Sequence, residues 1–428
     1  MNNLADLGLL KVDFLGLVTL TIMERAIALI KQRTGKEYNL SNIPLDDPKA
    51  FELLGKGETL GVFQVESAGM RRYLVEMKPK SLDNVIAMVA LYRPGPMDFI
   101  PQYIRRMHNE EPVEYLHAAM EPIFKETYGI PVYQEQIMRA AVELAGYTAS
   151  EADELRKAIS KKQKEQLLKH QEKFVNGAAA LGKVPPETAK AIFENWEKFA
   201  RYGFNKAHAA DYGIISVQTA YLKANYPVEY MTALISANKN DTAKVALYIA
   251  DCRRMGIDVL PPDINASEWD FTIEDTMDKR KKKRAVIRFG LGAIKNVGQG
   301  HVELILKARK EGGRFKDLND LAERVDLHAV GKRPLECMIK VGALDQFGSR
   351  KALLEAIDRI ISISEVSFEA ARRGQMSLFD VAPMAIDRIE VATADDVSPR
   401  DYMQWERELL GLYVSAHPLQ KHVTLLER

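Results

Sequence analysis

Lys11-Val-Asp-Phe-Leu-Gly-Leu17, ten residues into the chain, is apolar apart from Lys11 and Asp13 and predicts a short buried strand over 9–15. Leu20, Met23, Ile27 and Ile30 then recur at intervals of three and four, the stripe of a helix packing one face on a core. Lys31 and Arg33 in its last turn, followed by Gly35, form a favourable helix end. Asp13 at the strand end is a natural ligand for Mg2+, which takes oxygen donors and keeps waters or substrate phosphates in its shell. Read alone, such an aspartate is more often a cap or turn former. Two-metal phosphoryl transfer needs several carboxylates. No chain stands upstream to supply them, so the expectation is a piece of a larger enzyme.

Composition narrows the class. A chain of 428 residues exceeds one hydrophobic core and predicts two or three domains. Apolar content of 46% and charged content of 28% fit an ordinary soluble globular protein. The net charge of +1 gives no global attraction to nucleic acid or membrane, so contacts to DNA must come from local patches. Cys252 and Cys337 are the two cysteines, too far apart and too helical in context for a disulfide scaffold or zinc cluster, which suits a reducing cytoplasm. No apolar run nears the roughly 18 residues of a membrane span, and no signal-peptide pattern opens the chain. The eight histidines are scattered, which argues against a metallohydrolase.

From about 45 to 255 helical patterns dominate, punctuated by Arg93-Pro-Gly-Pro96, by 129–131 and by Val184-Pro-Pro-Glu187. Thr148-Ala-Ser-Glu151 reads as a capping box opening a charged helix. Near 256 the texture changes. Residues 269–273 and 285–289 read as a hairpin around the basic turn Lys279-Arg-Lys-Lys-Lys-Arg284. Helices resume from about 299 to 372, and 380–400 reads as an exposed linker. The fold class expected is mainly α with small β elements, in several domains.

Five further blocks stand in a fixed order: Gly61-Val-Phe-Gln-Val-Glu-Ser67, Leu91-Tyr-Arg-Pro-Gly-Pro-Met97, Val132-Tyr-Gln-Glu-Gln136, Leu155-Arg-Lys-Ala-Ile-Ser-Lys-Lys162 and Tyr202-Gly-Phe-Asn-Lys-Ala-His208. With the Lys-x-Asp-Phe-Leu-Gly-Leu element they resemble the catalytic subunits of bacterial C-family replicative DNA polymerases, and the resemblance covers essentially the whole chain. It implies that Asp13 is one of three metal-binding aspartates of a palm, whose partners lie in a preceding segment. It implies domains at 1–35 (end of the palm), 36–255 (fingers), 256–372 (clamp-binding, with a helix-hairpin-helix), 373–400 (linker with a clamp-binding peptide) and 401–428 (start of a following domain).

Arg156, Lys157, Lys161 and Lys162 cluster, with Arg156 and Ser160, like Lys157 and Lys161, four apart on one helix face. Read alone this is a solvated surface. The resemblance makes it a fingers patch for an incoming triphosphate, where Lys acts as a point charge and Arg as a two-pronged donor. Asn205, Lys206 and His208 would by the same resemblance contact nucleotide or primer terminus, although His208 could simply be a hydrogen-bonded structural histidine. Arg93-Pro-Gly-Pro96 is a rigid turn, since two prolines fix φ and the glycine permits positive φ. It is either a helix–helix corner or, with Arg93 on a phosphate, part of the fingers.

Ala293-Ile-Lys-Asn-Val-Gly-Gln-Gly-His301 resembles a helix-hairpin-helix, with Gly298 and Gly300 allowing a tight turn into a helix starting near His301. Backbone amides there, with Lys295, would suit a DNA phosphate without reading sequence. Gly342 and Gly348 in a second junction point to a paired arrangement, and the basic turn could add nonspecific contacts. Gln375-Met-Ser-Leu-Phe379 has the pattern of a sliding-clamp peptide: Leu378 and Phe379 as apolar anchors, Gln375 and Ser377 as the polar positions.

The reading is thus a portion of a DNA-directed DNA polymerase that uses Mg2+ and deoxynucleoside triphosphates. Its partners are primer-template DNA, the sliding clamp, the missing amino-terminal polymerase segment and other replisome subunits. It is expected in the cytoplasm, with no membrane contact, and inactive alone. The competing reading is a noncatalytic DNA- and clamp-binding accessory protein. An unrelated helix-hairpin-helix repair protein would leave the fingers blocks unexplained.

Overall fold

The computed structural model describes residues 8, 9, 12, 16–160, 163–199, 203–277, 283–372, 389 and 396–414. They form a mainly helical protein with one small three-stranded sheet in which the strand Lys283–Arg288 lies between Val259–Leu260 and Thr272–Met277. By their contacts they divide into two compact units, 38–226 and 1–37 with 227–428.

In the unit 38–226 most helix starts are written locally. Asp47 caps the helix Pro48–Gly55 by accepting from the Ala50 amide at 2.8 Å, with proline at the first helical position. The capping box at 148–151 forms: the Thr148 amide donates to Glu151 Oε2 at 2.9 Å, and the Glu151 amide donates to Thr148 Oγ1 at 3.3 Å. Helix Leu82–Leu91 is buried from Asn84 to Leu91, as expected of an interior helix that is apolar all round. It lies against helix Lys206–Asn225 at Gly213, where a Cβ would stand 2.7 Å from the Ile86 side chain. Further along, Phe174, Phe193 and Trp196 pack edge-on and tilted, with Phe174 and Trp196 centroids 4.8 Å apart, over Leu155, Ile137 and Leu144.

In the other unit, helix Val18–Thr34 ends as its sequence predicts, with Gly35 at φ 72° donating to the Lys31 carbonyl. Its buried face is Ile22, Met23, Ala26 and Ile30, so the expected stripe is rotated and Leu20 is exposed. Of the expected strand over 9–15 only Leu9 and Val12 are described. Both are exposed and outside any strand. Asp13 lies outside the described residues. Helices Pro227–Ala237 and Thr242–Arg254, which sequence grouped with the fingers, fall in this unit, the first packing on Val18–Thr34.

The expected hairpin forms as β2, Thr272–Met277, antiparallel to β3, Lys283–Arg288, three residues beyond the first predicted run. A strand of two residues, β1 (Val259–Leu260), adds in parallel on the other side of β3. A two-pronged bridge from Arg288 to Glu274, at 2.7 and 2.8 Å, pins the pairing register. Lys279 to Lys282 of the basic turn lie outside the described residues. Lys283 pairs with Asp275 and Arg284 with Asp258.

Glu151 also accepts from Lys173, and that ammonium, followed by the Thr148 contacts, holds its carboxyl at about 2. The folded-state value lies below the ordinary 4.5, so the pair's contribution is complete above about that pH and is lost as pH falls towards 2. Glu151→Gln is expected to flatten the acid dependence of stability over this window, read by circular dichroism at constant salt. Parallel acid unfolding curves for the two proteins would contradict it.

Candidate functional site

Three of the sequence blocks, far apart in the chain, meet in the unit 38–226 around the start of helix Lys206–Asn225. Residues 132–134 and 203–204 run side by side: the Phe204 amide donates to the Val132 carbonyl and the Gln134 amide to the Phe204 carbonyl, both at 2.9 Å. Asn205 caps the helix through its side chain, which accepts from the His208 amide at 2.8 Å. Its role in the structure is therefore a cap. The Lys206 amide is fixed on Glu135 Oε2 at 2.9 Å, and its ammonium meets Glu126 Oε2 at 2.6 Å while lying over the Tyr133 ring.

Arg93 arrives from the proline turn. Gly95 takes φ 101°, as the turn demands, and the turn joins helix Leu82–Leu91 to helix Ile100–Met107. The Arg93 guanidinium stacks on Phe204 at 4.3 Å, and its Nε donates to the Ala90 carbonyl at 2.8 Å. Burial lowers its proton affinity from the ordinary value. His208 packs between Phe204 (5.6 Å) and Tyr212 (4.4 Å), and Tyr212 touches Phe63 (5.1 Å). Here two cations, one of them half-buried, sit beside a run of aromatic faces. Such a place suits phosphate on one side and a base or sugar on the other.

The loop 58–67 is tied to the same helix. Thr219 Oγ1 accepts from the Phe63 amide at 3.2 Å. The fully buried Lys223 ammonium donates to the carbonyls of Glu58 (2.9 Å) and Leu60 (2.7 Å). Tyr212, Thr219 and Lys223 follow His208 at spacings of four, seven and four, which puts all four on one helix face. That spacing is the signal by which Thr219 and Lys223 could have been found. Glu126 carried none.

Arg156 and Lys157 lie on helix Ala149–Ser160, and both pair with Asp153 at 2.8 Å. No described contact joins them to the Arg93–Lys206 cluster. Lys161 and Lys162, and Gln375, Ser377, Leu378 and Phe379 of the clamp-type motif, lie outside the described residues.

In the other unit, the glycine turn differs from expectation. Gly298 has φ −90° and Gly300 stands inside the helix, which starts at Gln299; the left-handed residue is Asn296, at φ 67°. Asparagine enters that region more readily than most other non-glycine residues. The Gly298 amide donates to His301 Nδ1 at 3.1 Å, so this amide is used within the turn. The Lys295 amide donates to the Leu409 carbonyl at 3.0 Å, leaving its side chain to face a cavity.

Residues 19–182 match the bacterial DNA polymerase III alpha subunit finger domain, and residues 256–354 match a helix-hairpin-helix motif. The DNA polymerase III subunit alpha of Thermus aquaticus is 47% identical over 100% of this chain and 34% of its own length. The chain belongs to the bacterial DNA polymerase III alpha subunit family. The subunits of Chlamydia trachomatis (44%, over 98% of the chain and 34% of that protein) and Aquifex aeolicus (42%, over 100% and 35%) agree with this placement. The chain spans about a third of the length of these curated relatives. Within the alpha-subunit family, the Arg93–Phe204–Lys206 cluster joins a residue inside the finger match to residues beyond its end at 182. No helix of the described residues is long and apolar enough to cross a membrane.

Proposed function

We propose that this chain supplies the nucleotide-holding and duplex-holding part of a replicative DNA-directed DNA polymerase. The observation that carries the reading is the convergence of Arg93, from one block, with Lys206 and His208, from another, on one aromatic-lined patch. In this proposal Arg93 and Lys206 receive the phosphates of an incoming deoxynucleoside triphosphate. Lys206 then exchanges Glu126 for phosphate, an exchange of one anion for another that costs little charge separation. Asn205 orders the helix start, and His208, with Phe204 and Tyr212, offers the flat surface. Arg156, Lys157 and Lys161 would hold the outer phosphates or the primer. Lys295 and the turn at Gly298 and Gly300 would take duplex phosphates, though the Gly298 amide would first have to leave His301.

Mg2+, when bound, would supply charge neutralisation of the triphosphate. Asp13, which lies outside the described residues, is the residue that would hold the metal in this proposal. Gln375, Ser377, Leu378 and Phe379 would hold a sliding clamp, a tether that raises local concentration without changing the chemistry. The domain boundaries 36–255 and 256–372, the cytoplasmic setting and the replisome partners belong to the same reading. The alternative reading is a noncatalytic DNA- and clamp-binding accessory.

Mg2+-dependent primer extension by the folded 428-residue chain, beside Asp13→Ala, tests the polymerase part. No extension is expected from either protein alone, with extension gained when a segment bearing the two further aspartates is added. Extension by the chain alone, lost in Asp13→Ala, would overturn the single-ligand account. No gain on adding that segment would favour the accessory reading.

A further inference from the structure

A cavity of about 1510 Å3 opens between the turn 292–297, helix Pro399–Leu410 and the start of helix Thr242–Arg254. Besides Lys239, which pairs with Asp270, four cations line it, Lys295, Arg333, Arg400 and Arg407, and the one acid on its wall, Glu408, accepts from Gln404 at 2.9 Å. None of the four cations has a side-chain hydrogen bond or ion pair among the described residues, unlike most other arginines of this unit. Arg350, for example, pairs with Asp345, and Arg288 with Glu274. All four are exposed, and like charges gathered along a concave opening repel one another and raise the local potential for an anion.

The wall that carries Arg400 and Arg407 is built to stay in place. Glu406 is buried on another face of that helix, 3.7 Å from the also buried Arg350, and accepts from the Val414 amide at 2.7 Å. Arg350 also stacks on Tyr402 at 4.2 Å, and the Leu409 carbonyl accepts from Lys295. Arg400 and Arg407 are seven residues apart on one face, about 10 Å along the axis. That separation fits several charges in a row better than one compact anion, and guanidinium groups bind phosphate oxygens two at a time.

We propose that this cavity is a second anion site, which binds a run of phosphates without reading bases. The chemistry is that of a nucleic-acid backbone or of a free polyphosphate. The site shares only Lys295 with the glycine-turn assignment. It goes beyond that assignment by making the carboxy-terminal helix, with Arg333, the larger part of the contact.

The test uses the full chain and three probes: a fluorescent single-stranded 20-mer, the same sequence as duplex, and sodium tripolyphosphate. Arg400→Gln/Arg407→Gln is compared with Lys307→Gln/Lys310→Gln, which removes the same charge from an exposed stretch outside the cavity. The cavity variant is expected to lose about tenfold in affinity per arginine. Its slope of log affinity against log salt should fall by about 1 to 2. The control should change by less than twofold. Loss for oligonucleotide alone assigns a nucleic-acid strand, and equal loss for tripolyphosphate assigns a free polyphosphate. Unchanged binding of all three probes by the folded cavity variant overturns the proposal. If Lys295→Gln alone then weakens oligonucleotide binding, the glycine-turn reading survives without it.

Discussion

Lys223→Ala is expected to destabilise the chain by about 3–5 kcal/mol, the range for removing a buried, hydrogen-bonded charge and leaving its partners unpaired. The ammonium has no exposed surface and donates to two backbone carbonyls, Glu58 and Leu60, tying helix Lys206–Asn225 to the loop 58–67. Truncation also removes three methylenes and the ammonium from a packed interior, which adds to the loss. Lys223→Met restores volume without the donor, so it should recover part of the stability and leave the carbonyl penalty. The damage should be concentrated in the loop 58–67, where Thr59 Oγ1 donates to the Val65 carbonyl at 2.6 Å and Gln64 holds a positive φ of 66°. Urea unfolding gives the free energy, and amide hydrogen exchange locates the loosened segment. A midpoint shift equivalent to less than about 1 kcal/mol for Lys223→Ala would mean the lysine is not what fixes this loop.

Features decided within a few residues were the legible ones. Gly35 after a basic last turn, Thr148 with Glu151, and Gly95 between two prolines each specify their conformation from local chemistry, and each forms as read. The helical character and the small sheet were legible for the same reason, because periodicity is local. What was lost depends on distant partners. Glu126 meets Lys206 from 80 positions away, and Lys223 meets the loop 58–60 from more than 160. Nothing beside either residue announces the contact. The two-residue strand β1 is too short for any alternation to appear. At the turn before Gln299, glycine's freedom pointed to Gly298 and Gly300, but the backbone places its left-handed residue at Asn296, which can also adopt it. In the helix stripe at 20–30 Met23 and Ile30 are buried as expected, whereas Ile22 and Ala26 replace Leu20 and Ile27 on the buried face.

The Arg93–Lys206 patch was legible only in part. Sequence singled out Arg93, Asn205, Lys206 and His208 through their blocks, yet the bridge between 132–134 and 203–204 that unites them is a tertiary contact. The structure also separates them chemically. Asn205 is spent on a helix cap, whereas Lys206 holds a carboxylate that a phosphate can replace. The second of the large effects follows from this exchange. Removing Lys206 or Arg93 should weaken triphosphate binding by about tenfold or more each, since a charge-assisted bond contributes about 1.5–3 kcal/mol. Glu126→Gln should act in the opposite direction, because it removes the anion with which phosphate competes.

The most direct measurement is therefore equilibrium binding of a deoxynucleoside triphosphate to the 428-residue chain, compared across Arg93→Ala, Lys206→Ala and Glu126→Gln at fixed salt. The account predicts weaker binding in the first two, tighter binding in the third, and unchanged folding in all. Equal affinity in the four proteins, or weaker binding in Glu126→Gln, would contradict the assignment of this patch to the incoming nucleotide.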